Sequence, residues 1–176
     1  MKLLKVTLML ILLAMLSSNV FAQQQVKPAD WKGFQFLIGK WVGEGKGQPG
    51  QGSGYFTFSF DLQKRVLVRK SHTTFPKTKE RPASSHDDIM IVYQDNGKTK
   101  AVYFDNEGHQ INYTAEFAKD SSSISFVSDI IPNSPRFRLV YEKLPNGKIN
   151  NKFEIASPNK PEEFSKYIEG VVKKSK

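Results

Sequence analysis

Hydrophobic and polar residues alternate along most of the chain after Trp41, with a period of two. Tyr55 to Leu62 sets Phe56, Phe58, Phe60 and Leu62 on one face and Thr57, Ser59 and Asp61 on the other, as in a half-buried strand. Arg65 to Phe75 is β-rich, and Val66, Val68, Lys70 and His72 share a face. Asp88 to Tyr93 alternates and stops at Asp95-Asn96-Gly97, a hairpin signal. Thr99 to Phe104 follows, ending in the turn Asp105-Asn106-Glu107-Gly108. His109, Ile111, Tyr113, Ala115 and Phe117 then alternate with Gln110, Asn112, Thr114 and Glu116. Ser123 to Ser128, Arg136 to Glu142 and Lys148 to Ala156 continue the series, the last two joined at Pro145-Asn146-Gly147. Short strands joined by hairpin turns, with no helical crossover, predict an all-β antiparallel sandwich or up-and-down barrel.

Two segments leave this pattern. Phe34, Leu37 and Ile38 recur at helical spacing behind Asp30, a good N-cap, and predict a short helix or helical turn ending at Gly39. Pro161-Glu162-Glu163 followed by Phe164, Tyr167 and Ile168 fits a helix start. Phe164 to Val172 fits a closing strand equally well.

The first residues predict export. Lys2 and Lys5 form a basic region, Leu8 to Leu16 an apolar run too short to span a bilayer comfortably, and Val20-Phe21-Ala22 a small-residue cleavage site. The expected organisation is a signal peptide at 1–22, a polar lead at 23–29, one domain at 30–173 and a basic tail at 174–176. Removing residues 1–22 takes away two lysines and no acid, so the formal charge of +9 becomes +7. The expected location is the periplasm or the exterior, with no integral span after cleavage. The chain has no cysteine, which excludes disulfides, thiolate metal sites and a cysteine nucleophile.

The run Phe36-Leu37-Ile38-Gly39-Lys40-Trp41-Val42-Gly43-Glu44-Gly45 resembles the start of calycin-type barrels, the superfamily of lipocalins, fatty-acid-binding proteins and nitrobindin-like proteins. Their signature is a helical turn and then Gly-x-Trp, here Gly39 and Trp41. The Gly-x-Gly that follows, Gly43 and Gly45, is similar to nitrobindin-like and related bacterial barrels. The resemblance implies a single calycin-like barrel of about ten strands with a short N-terminal helix. It makes Phe164 to Val172 the closing strand and Trp41 the plug of the closed end. It also implies that Gly43 and Gly45 let a bent first strand pass close to its neighbours. The haem site of nitrobindin-like proteins does not carry over, because no histidine follows His109. The Arg-x-Tyr of fatty-acid-binding proteins is absent from Arg136-Phe137-Arg138-Leu139-Val140-Tyr141. No cofactor is therefore expected.

Candidate chemistry is sparse. His72, His86 and His109 fit no local metal motif, so no metal is expected, although a barrel can bring distant strands together and His86-Asp87-Asp88 could supply ligands. His109 and Tyr113 on an inner wall could orient a ligand, with Phe56, Phe58 and Phe60 supplying apolar contact. His109 could equally be a half-exposed residue at a hairpin end. Arg138 is expected either to pack over Trp41 by cation–π contact or to anchor an anionic ligand, and Arg69 could play either part. The basic clusters at Lys64 to Lys70, Lys77 to Arg81 and Lys173 to Lys176 lack interleaved exposed aromatics. Contact with anionic envelope components is therefore expected, rather than nucleic acid. The leading expectation is an exported barrel that holds a small apolar or amphipathic molecule noncovalently. One alternative is a hydrolase or isomerase using His109 with Asp105 or Glu107, although no nucleophile motif accompanies them. The other is a structural or interaction protein with a filled barrel.

Overall fold

The computed structural model describes residues 29–44 and 52–175. The expected signal peptide and Gly45 lie outside them. A 3-10 helix, Lys32–Leu37, precedes ten strands: β1 Gly39–Gly43, β2 Ser53–Asp61, β3 Val66–Phe75, β4 Ser84–Asp95 and β5 Lys98–Asp105, then β6 Gln110–Phe117, β7 Ser123–Ser128, β8 Arg136–Lys143, β9 Ile149–Ala156 and β10 Ser165–Lys174. Each strand pairs antiparallel with the next, and β1 pairs with β10, so the sheet closes into an up-and-down barrel. Closure leaves no free sheet edge.

The ambiguous C-terminal segment is strand. It satisfies the backbones of both β9 and β1, with Val172 opposite Ile149 on one side and Gly43 on the other. That tertiary demand outweighs a local helix signal. The strand runs to Lys174, so the barrel absorbs the first residue of the expected tail.

The N-terminal turn is 3-10 rather than α. Asp30 accepts the Lys32 N–H at 3.0 Å, and the helix buries Phe34 and Leu37. It closes one end of the barrel, hereafter the closed end. There Trp31 lies edge-on to Phe34 at 5.6 Å and donates from Nε1 to the Lys64 carbonyl at 2.7 Å. Leu62, Gln63 and Lys64 all take positive φ in the β2–β3 turn. The Asn96-Gly97 turn has positive φ at both residues, the type I′ geometry that suits a twisted hairpin.

Gly39 sits at φ +116, a conformation that side chains disfavour. Beyond it Trp41 is 3% exposed and donates from Nε1 to the Leu37 carbonyl at 2.8 Å, tying β1 to the plug. The close strand passage expected at Gly43 falls elsewhere. A Cβ on Gly43 would meet only the Gly54 carbonyl, at 3.8 Å, whereas one on Gly54 would lie 2.1 Å from the His72 carbonyl oxygen. Gly54 is thus the residue that lets β2 and β3 approach.

Phe56, Phe58, Tyr113, Phe126 and Tyr141 fill the middle and lower barrel as a chain of mostly edge-on rings, neighbouring centroids 5.3–6.4 Å apart.

Candidate functional site

The opposite end, bounded by the β3–β4, β5–β6, β7–β8 and β9–β10 loops, carries no such plug among the described residues. Its inward positions divide into two walls. On β3 to β5 they are Arg69 and Ser71, His86 and Asp88, and Tyr103 and Asp105, as the cross-strand pairs Ser71–Asp88 and Asp88–Asp105 require. On β8 to β10 they are Phe137, Phe153 and Ile168, with Leu139 opposite Phe153 and Phe153 opposite Ile168. Phe137 and Phe153 stack at 5.8 Å, and Tyr167, at a bulge in β10, lies edge-on to Phe153. Tyr167 and Ile168 are exposed. A polar wall therefore faces an apolar one across the mouth.

Arg69 is the floor of the polar wall. It is 5% exposed and forms an ion pair with the equally buried Asp88. Its guanidinium lies 5.4 Å from the Phe56 ring centroid. Burial works to lower its pKa, but the Tyr141 hydroxyl, Asp88 and Tyr103 outweigh this and hold it cationic. Burial first, and then the carboxylates of Asp88 and Asp105, push the Tyr103 hydroxyl well above its ordinary range. Burial does the same to Tyr113 and Tyr141. All three phenols are neutral at physiological pH. Arg69 Nε, Tyr141 Oη and Asn151 Oδ1 are buried and lack a hydrogen-bond partner that satisfies normal geometry. Asn151 is the cross-strand partner of both Tyr141 and Gly170. Gly170 is exposed and a Cβ on it would meet nothing within 4 Å, so β10 is open to solvent beside Asn151.

Above the floor the polar wall continues as one network. Tyr103 Oη donates to Asp105 Oδ2 at 3.3 Å and lies 3.0 Å from His86 Nε2. His86 Nδ1 faces Glu107 Oε1 at 3.4 Å. His109 Nδ1 lies 2.8 Å from Asp105 Oδ2. Burial opposes ionisation of Asp105. The backbone N–H and ring of His109 and the N–H of Glu107 outweigh it and hold the carboxyl below the usual range.

The residues expected to form a site therefore separate. His109 occupies the hairpin between β5 and β6, its side chain 59% exposed and tied to Asp105. Tyr113 is in the interior beneath Tyr103. Phe56 and Phe58 are packed by Tyr141, and Phe60 lies near Trp31 at the closed end, so Phe60 does not line the mouth. Arg138 does not reach Trp41. Leu139 and Tyr141 point inward, so alternation turns Arg138 to the outer face, where it pairs with Glu154 at 2.5 Å and lies 4.3 Å from the Phe164 ring centroid. Lys174 holds the cation position at Trp41, 5.7 Å from the ring. The buried arginine is Arg69, and its strand offered the signal: it alternates with Leu67 on the face opposite Val66, Val68 and Lys70. Asn151 had no signal of its own.

Two wide grooves lie outside the barrel. One, of about 460 Å³, crosses the outer face of β2 to β5 between Tyr55, His72, Ile89 and Phe104. The other, of about 500 Å³, lies by Ser53, Phe75 and Ser84. No protein-family model matches the chain, and no curated protein matches it.

Proposed function

We propose that this is an exported, calycin-like barrel that binds a small amphipathic molecule noncovalently through its mouth. The observation that carries the reading is the set of three buried polar atoms without a hydrogen bond of normal geometry, Arg69 Nε, Tyr141 Oη and Asn151 Oδ1, next to the exposed Gly170. Buried polar groups are almost always satisfied, and a ligand's polar end would satisfy these. Asp88 already neutralises Arg69, so the floor suits an uncharged hydrogen-bonding end, a hydroxyl or amide, better than a bare carboxylate. The apolar part would lie against Phe137 and Phe153, where buried area contributes about 25 cal/mol per Å² before association costs. The opening sequence of a basic stretch, an apolar run and Ala22 supports release to the periplasm or exterior. The basic charge suits a place beside anionic envelope components.

The test is native mass spectrometry of the protein expressed from the full 176-residue sequence and purified gently from the exported fraction. A reproducible adduct of small-molecule size that is lost in Gly170→Leu, with the circular dichroism spectrum unchanged, is the expected result. A bare mass, together with no displacement of a fluorescent fatty probe by long-chain alcohols, amides or acids, would favour the filled-barrel reading.

A further inference from the structure

We propose that the rim of the mouth holds a borderline divalent metal ion, of the zinc or nickel type, on His86, Asp105 and Glu107. The three residues come from the start of β4, the end of β5 and the β5–β6 turn. Each offers one ligand atom, and these atoms lie within 4.8 Å of one another. The sequence spacing hides this set. Neighbouring strands bring together residues that no local motif joins.

One His86 tautomer is arranged to receive a cation here. Tyr103 Oη has one proton and two partners in reach, Asp105 Oδ2 at 3.3 Å and His86 Nε2 at 3.0 Å, where the donor depends on the histidine tautomer. In the tautomer that donates from Nε2 to Tyr103, His86 presents the Nδ1 lone pair to the Glu107 carboxylate at 3.4 Å. Two acceptors facing each other repel unless something positive lies between them. A metal ion placed there takes Nδ1 and the carboxylates as ligands. Tyr103 would hold the other ring nitrogen, as a ligating histidine's second nitrogen is commonly held.

The donor set selects the metal class. One imidazole with two carboxylates favours zinc, nickel or copper over magnesium or calcium, which want oxygen alone. Tetrahedral zinc ligands stand about 3.3 Å apart, so the set, within 4.8 Å, must close by up to about 1.5 Å. The side chain of Glu107 is 59% exposed and has room to make that movement. His109 Nδ1 is 4.0 Å from Glu107 Oε2, and the Asp105 bond holds it beside the set. This reading does not depend on an amphipathic ligand deeper in the barrel.

The experiment is calorimetric titration of the metal-free full chain, without an affinity tag, using zinc chloride and then magnesium chloride. Cobalt spectroscopy follows as an independent readout of nitrogen and oxygen ligation. Zinc is expected to bind one to one, with magnesium at least about a hundredfold weaker. His86→Ala and Glu107→Gln should each weaken zinc by at least about tenfold, while His72→Ala, on the outer face, changes it less than about twofold. Glu107→Gln alters an exposed side chain, so it tests the site without testing the fold. Absence of zinc binding overturns the proposal. So does binding that survives both Glu107→Gln and His86→Ala, or that disappears in His72→Ala. If zinc leaves the His86 ring resonances unmoved by NMR, the proposal is also overturned.

Discussion

The closed end and the mouth are made from the same alternating strands, and they use their inward positions in opposite ways. At the closed end the large aromatic groups find a ring or a carbonyl: Trp41 reaches Leu37, Trp31 reaches Lys64, and Phe34 packs edge-on to Phe117 at 5.2 Å. At the mouth the inward groups are an arginine, a serine, a histidine, two carboxylates and a tyrosine on one side and half-exposed rings on the other. Aromatic packing fixes a shape, whereas an unpaired polar set costs stability and is retained for recognition or chemistry. The difference is why we propose the mouth for binding and assign stability to the plug.

The largest effects should fall at the plug and at the buried ion pair. Trp41→Ala removes a nearly buried ring and its bond to Leu37 and should cost about 3–5 kcal/mol in urea unfolding. Tyr167→Ser at the mouth should change stability by less than about 0.5 kcal/mol. A Trp41→Ala loss below about 1 kcal/mol would remove the plug role. Arg69→Met leaves Asp88 buried without its partner and should also cost about 3–5 kcal/mol. Pairing it with Asp88→Leu should return stability to within about 1–2 kcal/mol of the parent, since an apolar pair of similar volume replaces two desolvated charges. A double variant as unstable as the single one would mean the pair is structural and would weaken the case for a ligand floor.

The alternation of β2 and β6 and the Asn96-Gly97 turn are local properties, so the strands and their order were legible from the chain. So was the plug, because Gly39 and Trp41 sit next to the helical turn they serve. The mouth was only half legible. His109 and Asp105 are four residues apart, within one hairpin. His86 reaches Glu107 across two strands, and nothing local marks that pairing. Arg138 was misplaced because its partner depended on facing: alternation from Leu139 and Tyr141 turns it outward and leaves Arg69 as the interior cation. Asn151 reads as one polar residue among several in β9, and its burial comes from the register with Tyr141 and Gly170.

Two strand glycines of the upper barrel give a smaller contrast. Gly54→Ala would drive a methyl to 2.1 Å from the His72 carbonyl oxygen. The strands must separate there, at a cost of about 1–3 kcal/mol. Gly170→Ala meets nothing within 4 Å and should lie within about 0.5 kcal/mol of the parent. Thermal melts of the two variants side by side test whether the upper barrel is open where Gly170 lies. A Gly170→Ala loss comparable to that at Gly54 would mean the space is filled.

The smallest effect belongs to an ion pair on the outer surface, and it is the control for Arg69 and Asp88. Lys152 Nζ lies 2.9 Å from Glu142 Oε2. The bond from Lys152 lowers the Glu142 pKa, and the same bond raises that of Lys152. The signs define a window. The Glu142 contribution is complete above the unfolded carboxyl value of about 4.3 and fades as pH falls through the lower folded value. The Lys152 contribution is complete below the unfolded value of about 10.4 and fades as pH rises through the higher folded value. Both groups are partly exposed, so the pair contributes less than about 1 kcal/mol near neutrality, and 0.5 M salt shrinks it further. Lys152→Met should slightly flatten both limbs of the stability–pH curve and remove their salt sensitivity. Arg69→Met should lower the curve by a salt-insensitive amount, because the interior excludes the screening ions. Equal salt sensitivity in the two variants would mean that water and ions reach Arg69 freely, and the floor would then be part of the solvent-filled mouth.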